Sequence, residues 1–211
     1  MSGSFAQNSN IFKSNSNKQC TAMSMIAIIQ SYLINCKLWS TSIIDLILIK
    51  GDIYYQKCYT NLIGNKNNHL SIEEVVGRIT INDTIFDTSW IYNPRLCTSK
   101  LNIHERILQF LNSNNTHALI ITGILSFGLI NENDCLYFFD SHARSPQGKS
   151  SSIGKACIIK FAGDNKINNI VDHIMKFVNK DNITIEINDV ICIKLITETI
   201  VVIMFILLKN N

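Results

Sequence analysis

Several signatures that would settle a function class at once are missing from this 211-residue chain. Lys and Arg never cluster into a run, no basic stretch is interleaved with aromatics, and the net charge is only +3, so nucleic-acid binding has no electrostatic footprint. No two cysteines have Cys-x-x-Cys spacing, which leaves a zinc site without its ligand pattern. No basic segment followed by an apolar stretch opens the chain, so no secretory leader is expected. A membrane-spanning helix needs roughly 20 apolar residues. The strongest apolar run, 200–208 (Ile-Val-Val-Ile-Met-Phe-Ile-Leu-Leu), is half that, and extending it backwards meets Glu198 and Lys194. It reads as a strand buried on both faces, or as a strand pair with 191–196 turning at Thr197-Glu198-Thr199, rather than a tail anchor. No membrane partner is expected, and no internal repeat is evident.

What is present is apolar: 46% hydrophobic residues against 17% charged, enough in a chain of this length for one domain with a sizeable core. The seven cysteines are odd in number and irregular in spacing, which does not suit a disulfide framework. Most lie inside apolar runs (Cys36, Cys135, Cys157 and Cys192 among them) and read as small buried hydrophobes in a reducing, intracellular compartment, cytoplasm or nucleus.

The periodicity changes along the chain. Residues 1–19 carry Phe5, Ile11 and Phe12 as their only large apolar anchors and read as an ordered loop or a mobile arm. From Cys20, apolar residues surround most of a helical circumference, predicting a central buried helix. A second helix is predicted over 42–50, capped by Thr41 and ended by Gly51, with a short third one from Ile53. Residues 64–68 form a polar loop, Ser71-Ile-Glu-Glu has the form of a capping box, and 75–86 has strand chemistry around Asn82-Asp83. A helix over 102–111 follows. Then come β-rich runs at 117–130 and 135–140, paired as a hairpin across 131–134, a strand at 156–161, a helix at 167–178, and strands at 183–187 and 191–196. Helices fall mostly early and strands mostly late, an α+β pattern with a helical lobe against a mostly antiparallel sheet.

Two places could carry chemistry. Cys20 follows the polar Lys18-Gln19 pair and opens the buried helix, where the helix dipole favours thiolate and the polar approach leaves the sulfur reachable. Asp140-Ser141-His142 ends the hydrophobic strand from Leu136. Alternation puts Asp140 and His142 on one face, so the carboxylate can accept one imidazole N–H and leave the other ring nitrogen for a thiol. His69 lies in a polar loop and His104 and His173 on amphipathic helices, so His117, at the start of a strand, is the one rival base. Gln7, a lone amide upstream of the cysteine, could join the Cys20 backbone N–H in an oxyanion hole.

Laid end to end, Gly3-Ser-Phe-Ala-Gln7, Lys18-Gln-Cys20-Thr-Ala-Met-Ser-Met, Trp39, Ile44-Asp45-Leu-Ile-Leu, Gly51-Asp52-Ile-Tyr54 and Phe139-Asp140-Ser-His-Ala-Arg144 with Gly148 resemble the deubiquitinase domain at the N-terminus of herpesvirus large tegument proteins, a family with non-viral relatives. The matching stretches span residues 3–162. The resemblance implies a papain-like cysteine protease fold, with one catalytic domain over 1–211, Gln7 on the N-terminal loop 1–19, and an apolar extension at 197–211. It implies Cys20 as nucleophile, His142 as general base and acid, Asp140 as its orienter and Gln7 on the oxyanion. The bond cleaved would be the isopeptide or peptide bond after the C-terminal glycine of ubiquitin, alone or in polyubiquitin chains, with no metal and no cofactor. Ubiquitin's tail carries arginines, which makes Asp45 and Asp52 candidate substrate contacts. Lys18 stands where the family often has a small residue. Three other readings are a protease for a ubiquitin-like modifier, a ubiquitin-binding module whose catalysis has decayed, and a membrane-tethered interaction protein.

Overall fold

The computed structural model describes residues 1–61, 69–91, 96–145, 148–178 and 184–195. The expected polar loop at 64–68 and the apolar extension at 197–211 lie outside them.

Among the described residues, β-branched and aromatic alternation builds a single seven-stranded sheet, every pairing antiparallel: β1 (Gly77–Ile81), β2 (Thr84–Ile91), β3 (His117–Thr122), β4 (Leu125–Glu132), β5 (Cys135–Arg144), β6 (Lys155–Phe161) and β7 (Ile185–Leu195). Their order across the sheet is β1-β2-β7-β3-β4-β5-β6. Successive side chains face opposite ways, so strands β3 to β7 feed two cores, while β1 and β2 contribute to the first alone. Leu119, Ile130, Tyr137 and Phe139 pack with helix α1 (Cys20–Leu33), helix α2 (Thr41–Thr60) and the single turn α3 (Ile72–Val75). Ala118, Ile120, Leu136 and Phe138 pack with helices α4 (Lys100–Asn112) and α5 (Lys166–Val178) on the other face. Helix α1 is apolar all round because it runs inside the first core, with every residue from Cys20 to Gln30 buried. Two tight hairpins use Asn-Asp tips at positive φ, Asn82-Asp83 (47° and 61°) and Asn133-Asp134 (50° and 60°), as two-residue turns matched to strand twist require.

Three expectations need correction. Helix α2 does not stop at Gly51: it runs from Thr41 to Thr60, absorbing the expected third helix, and its cap is Ser40, whose hydroxyl accepts the Ile43 N–H at 3.4 Å. Gly51 marks a close crossing instead, since a Cβ there would sit 2.7 Å from the Cα of Met23. The run 117–130 is two strands, folded back at Gly123-Ile124, with Gly123 at φ 57°. Over the described residues, the two expected strands at 183–187 and 191–196 are one, β7, and the polar Asn188-Asp189 pair between them is accommodated by an ion pair. Buried Arg106 on α4 donates to Asp189 and, at 3.1 Å, to the Ile187 carbonyl. Residues 1–19 are an ordered arm, with the Gly3 N–H on the Ala156 carbonyl and the Ala156 N–H on that of Phe5, both at 2.9 Å, followed by a 3-10 segment, Asn10–Asn15. Among the described residues, no helix is long and apolar enough to cross a membrane.

Candidate active site

Cys20 is the first residue of α1, where the backbone N–H groups of the opening turn have no helical partner. Burial lifts the thiols of Cys36, Cys58, Cys97, Cys157 and Cys192; among the thiols with a resolved shift, that of Cys20 alone is drawn down. Burial pushes it up as well, but the nearby imidazoles of His142 and His69 and the charge of His142 outweigh this and bring it to about 6.

The opposing base is set by the end of β5. The Asp140 Oδ1 accepts from His142 Nδ1 at 2.7 Å and from the His142 backbone N–H at 2.9 Å, fixing both ring and main chain. His142 Nε2 is buried and makes no hydrogen bond among the described residues, and the imidazole lies within electrostatic reach of the Cys20 sulfur. Burial works against the imidazolium, yet the Asp140 charge and hydrogen bond, with a further contribution from Cys20, raise His142 to about 9. Asp140 is itself held below the usual carboxylate range: burial opposes ionisation, and the charges and hydrogen bonds of His142 and the charge of Arg144 overcome it.

Gln7 ties the two halves together. Its N–H donates to the Ser141 carbonyl at 2.9 Å, and its carbonyl accepts from the Asn17 N–H at 3.2 Å in the loop before the cysteine. The Ser141 hydroxyl donates to its Oε1 at 3.1 Å, which leaves Nε2 as the donating end of the amide.

The structure separates His117 from this cluster. Its Nε2 meets Ser31 Oγ and its Nδ1 meets Thr116 Oγ1, both at 2.7 Å, and its ring stacks on Tyr32 at 4.3 Å. Ser31 is eleven residues along α1 from Cys20, about 16 Å at helical rise. Burial pulls His117 down to about 4, a neutral and fully bonded imidazole. Asp45 and Asp52 are engaged by the chain itself. Asp45 accepts the Ser4 N–H at 2.7 Å, and Asp52 accepts amide donors from Asn15 and Gln19 at 3.0 Å and from Gln56 at 2.9 Å. Gln19, fully buried beside the cysteine, is anchored through Asp52.

Two features differ from the sequence expectation. His69, set aside as a loop residue, comes to the thiol and lines a groove of about 800 Å³ with Lys18, Thr21, Glu73, Gly123 and Ile124. Only its sequence distance from Cys20 hid it. The thiol is also covered rather than reachable. Cys20 is 1% exposed, and its Sγ donates to the Ile124 carbonyl at 3.4 Å across the β3–β4 turn. A second hollow of about 370 Å³ lies against His142, Arg144 and Ser150. Among the described residues, no group of three or more His, Cys, Asp or Glu is placed to hold a metal ion.

A lowered thiol, a raised imidazole and a carboxylate bonded to its far nitrogen can together generate a thiolate and move a proton. The fold is similar to the crystal structure of the ubiquitin-specific protease encoded by murine cytomegalovirus tegument protein M48, solved with a ubiquitin-based suicide substrate. The TM-score is 0.76 at 12% identity, over 93% of this chain and 87% of that one, and both share the papain-like α+β architecture. No curated protein matches the chain in sequence. Residues 2–188 match the family described as the herpesvirus tegument protein, N-terminal conserved region, and the chain belongs to that family.

Proposed function

We propose that the chain is a thiol-dependent deubiquitinase that hydrolyses the bond after ubiquitin's C-terminal glycine. The observation that carries this reading is the Asp140–His142 pair, bonded at 2.7 Å, beside a thiol lowered to about 6. In this reading the Cys20 thiolate attacks the glycine carbonyl carbon, and the oxyanion is received by the Cys20 N–H and Gln7 Nε2. His142, protonated in the resting ion pair, gives its proton to the leaving lysine amine as the C–N bond breaks. A thioester remains. Water then attacks it, His142 takes the water's proton, and the thiolate departs to restore the pair with the imidazolium. Every proton is carried by side chains of the chain, so the scheme calls for no metal and no cofactor.

The groove beside Thr21 and His69 is the natural seat for the substrate's tail. Glu73 and Glu186 line it and suit the arginines of that tail better than Asp45 and Asp52, whose oxygens already accept from Ser4, Asn15, Gln19 and Gln56. The Gly123-Ile124 turn must lift for a substrate to reach the sulfur. The test is capture by a ubiquitin-based covalent probe, with mass mapping of the modified residue. An adduct on Cys20, lost in Cys20→Ala while that variant still binds ubiquitin, is the expected result. No adduct, or one on another cysteine, overturns the reading, and preferential capture by a probe ending in a ubiquitin-like modifier changes the substrate.

A further inference from the structure

Asp140 does not serve His142 alone. Its Oδ2 accepts from the Nε of Arg144 at 2.5 Å, so the carboxylate is held from both ends. The guanidinium is fixed on its remaining sides: Nη1 donates to Ser150 Oγ at 2.7 Å, and the Phe177 ring of α5 lies 4.8 Å from Cζ. The backbone is fixed too. Between Asp140 and Arg144 the β5–β6 register shifts, bringing Arg144 opposite Lys155, and a bridge forms to Ser150. Gly154 passes so close that a Cβ there would stand 2.5 Å from the Arg144 carbonyl oxygen. Burying a guanidinium this completely (7% exposed) is costly unless it is paired, and the partner here is the carboxylate on which the relay depends.

We infer that Arg144 is a positioning residue for the relay proposed above: it fixes the rotation of the Asp140 carboxylate and shares its negative charge with His142. This rests on the proposed roles of Asp140 and His142. Two consequences follow. With the guanidinium on Oδ2, Oδ1 stays aimed at the imidazole. With a permanent cation on the same carboxylate, the imidazolium receives only part of its charge, which keeps His142 acidic enough to release a proton to a leaving amine. Among the described residues, titratable groups near this cluster include Cys20 on α1, Lys155 opposite Arg144 on β6, Lys176 beside His173 on α5, Cys157 on β6 and His173 on α5. Burial holds the last two neutral, pushing the Cys157 thiol up to about 12 and pulling His173 down to about 4.

The test reads His142 directly, by carbon-13 NMR of labelled histidine in a Cys20→Ser background, where no ubiquitin is needed. Arg144→Gln should raise the His142 titration midpoint by on the order of one pH unit, and Arg144→Lys should return most of that rise. Ser150→Ala, which removes only the Nη1 partner, should move it less in the same direction and serves if Arg144→Gln fails to fold. In the Cys20 enzyme, Arg144→Gln should lower kcat on the order of 100-fold with little change in KM. A His142 midpoint unmoved by the folded variants overturns the inference, because a purely structural arginine would leave it in place. If the midpoint moves but no ubiquitin probe is captured, the positioning role stands and the substrate assignment falls. If the probe is captured and the midpoint does not move, the reverse holds.

Discussion

Replacing His142 with glutamine removes the imidazolium while keeping a polar side chain of similar reach. In the native protein the thiol ionises at about 6 against an ordinary 9.0, and His142 releases its proton near 9. The sign is fixed by both shifts: thiolate exists above about 6 and imidazolium below about 9, so the ion pair occupies the window between them. Three pH units amount to about 4 kcal/mol of differential stabilisation of the thiolate. His142 contributes both polar proximity and charge to that total, and His69 polar proximity. A thiol titrating near 6 is about 90% thiolate at pH 7, and one near 9 about 1%. His142→Gln should therefore slow Cys20 alkylation by iodoacetamide at pH 7 on the order of 100-fold and carry the rate–pH midpoint to 8 or above. Burial of the sulfur slows reagent entry in both proteins alike, so the midpoint is the quantity to compare. His69→Gln should shift it the same way by less. A midpoint that stays near 6 without His142 would show that something else charges the thiol, and the relay would have to be redrawn.

Gln7→Ala should lower kcat on the order of 100-fold with little change in ubiquitin binding, the loss typical of one oxyanion donor; single-turnover kinetics would show it. Gly51→Ala gains helix propensity of about 1 kcal/mol but drives a Cβ to 2.7 Å from the Met23 Cα. Overpacking of about 1–3 kcal/mol should win, lowering the calorimetric Tm by a few degrees. His117 is buried as the neutral form with its titration pulled to about 4. A base with a depressed folded pKa costs stability once the unfolded chain begins to bind its proton, so stability should fall between pH 6.5 and 4, by about 3 kcal/mol for this residue. Urea unfolding of native and His117→Gln protein across that range should give a flatter profile for the variant.

The residues that read most clearly in the sequence are those whose local pattern is also their tertiary environment. The Cys20 helix is apolar all round because it is buried all round, and the Asn-Asp tips announce tight hairpins because positive φ at both positions asks for them. Asp140 and His142 are legible for the same reason: the bond that matters spans two residues. What could not be read depends on partners far along the chain. Gly51 looks like a helix terminator until Met23 is known to pass over it. Asn188-Asp189 looks like a polar break between two strands until Arg106, 83 residues away, neutralises the carboxylate. Asp52 looks like a surface acid until Asn15, Gln19 and Gln56 turn their amides onto it. His69 belongs with these. No local signal brings an imidazole from a loop to the thiol, whereas Arg144 pairs with Asp140 only four residues away, at the next same-face position after His142.

The cover over the sulfur follows the same charge logic. The contact that seats the Gly123-Ile124 turn on Cys20 is a thiol donating to the Ile124 carbonyl at 3.4 Å. A thiolate has no proton to donate, and it would face a carbonyl oxygen with like partial charge. Beyond the Thr122–Leu125 pairing of the hairpin itself, little among the described residues holds the tip, since the Ile124 side chain is 66% exposed and Gly123 carries none. The turn should therefore loosen as pH rises through about 6, the point at which the sulfur becomes nucleophilic. Hydrogen exchange at residues 123–125, corrected for intrinsic rates, should show protection at pH 5 that is lost by pH 7.5. In Cys20→Ser the hydroxyl never ionises, and the protection should persist across both. An identical pH response in the two proteins would uncouple the turn from the thiol. A difference between them would mean that one proton both arms the nucleophile and uncovers it.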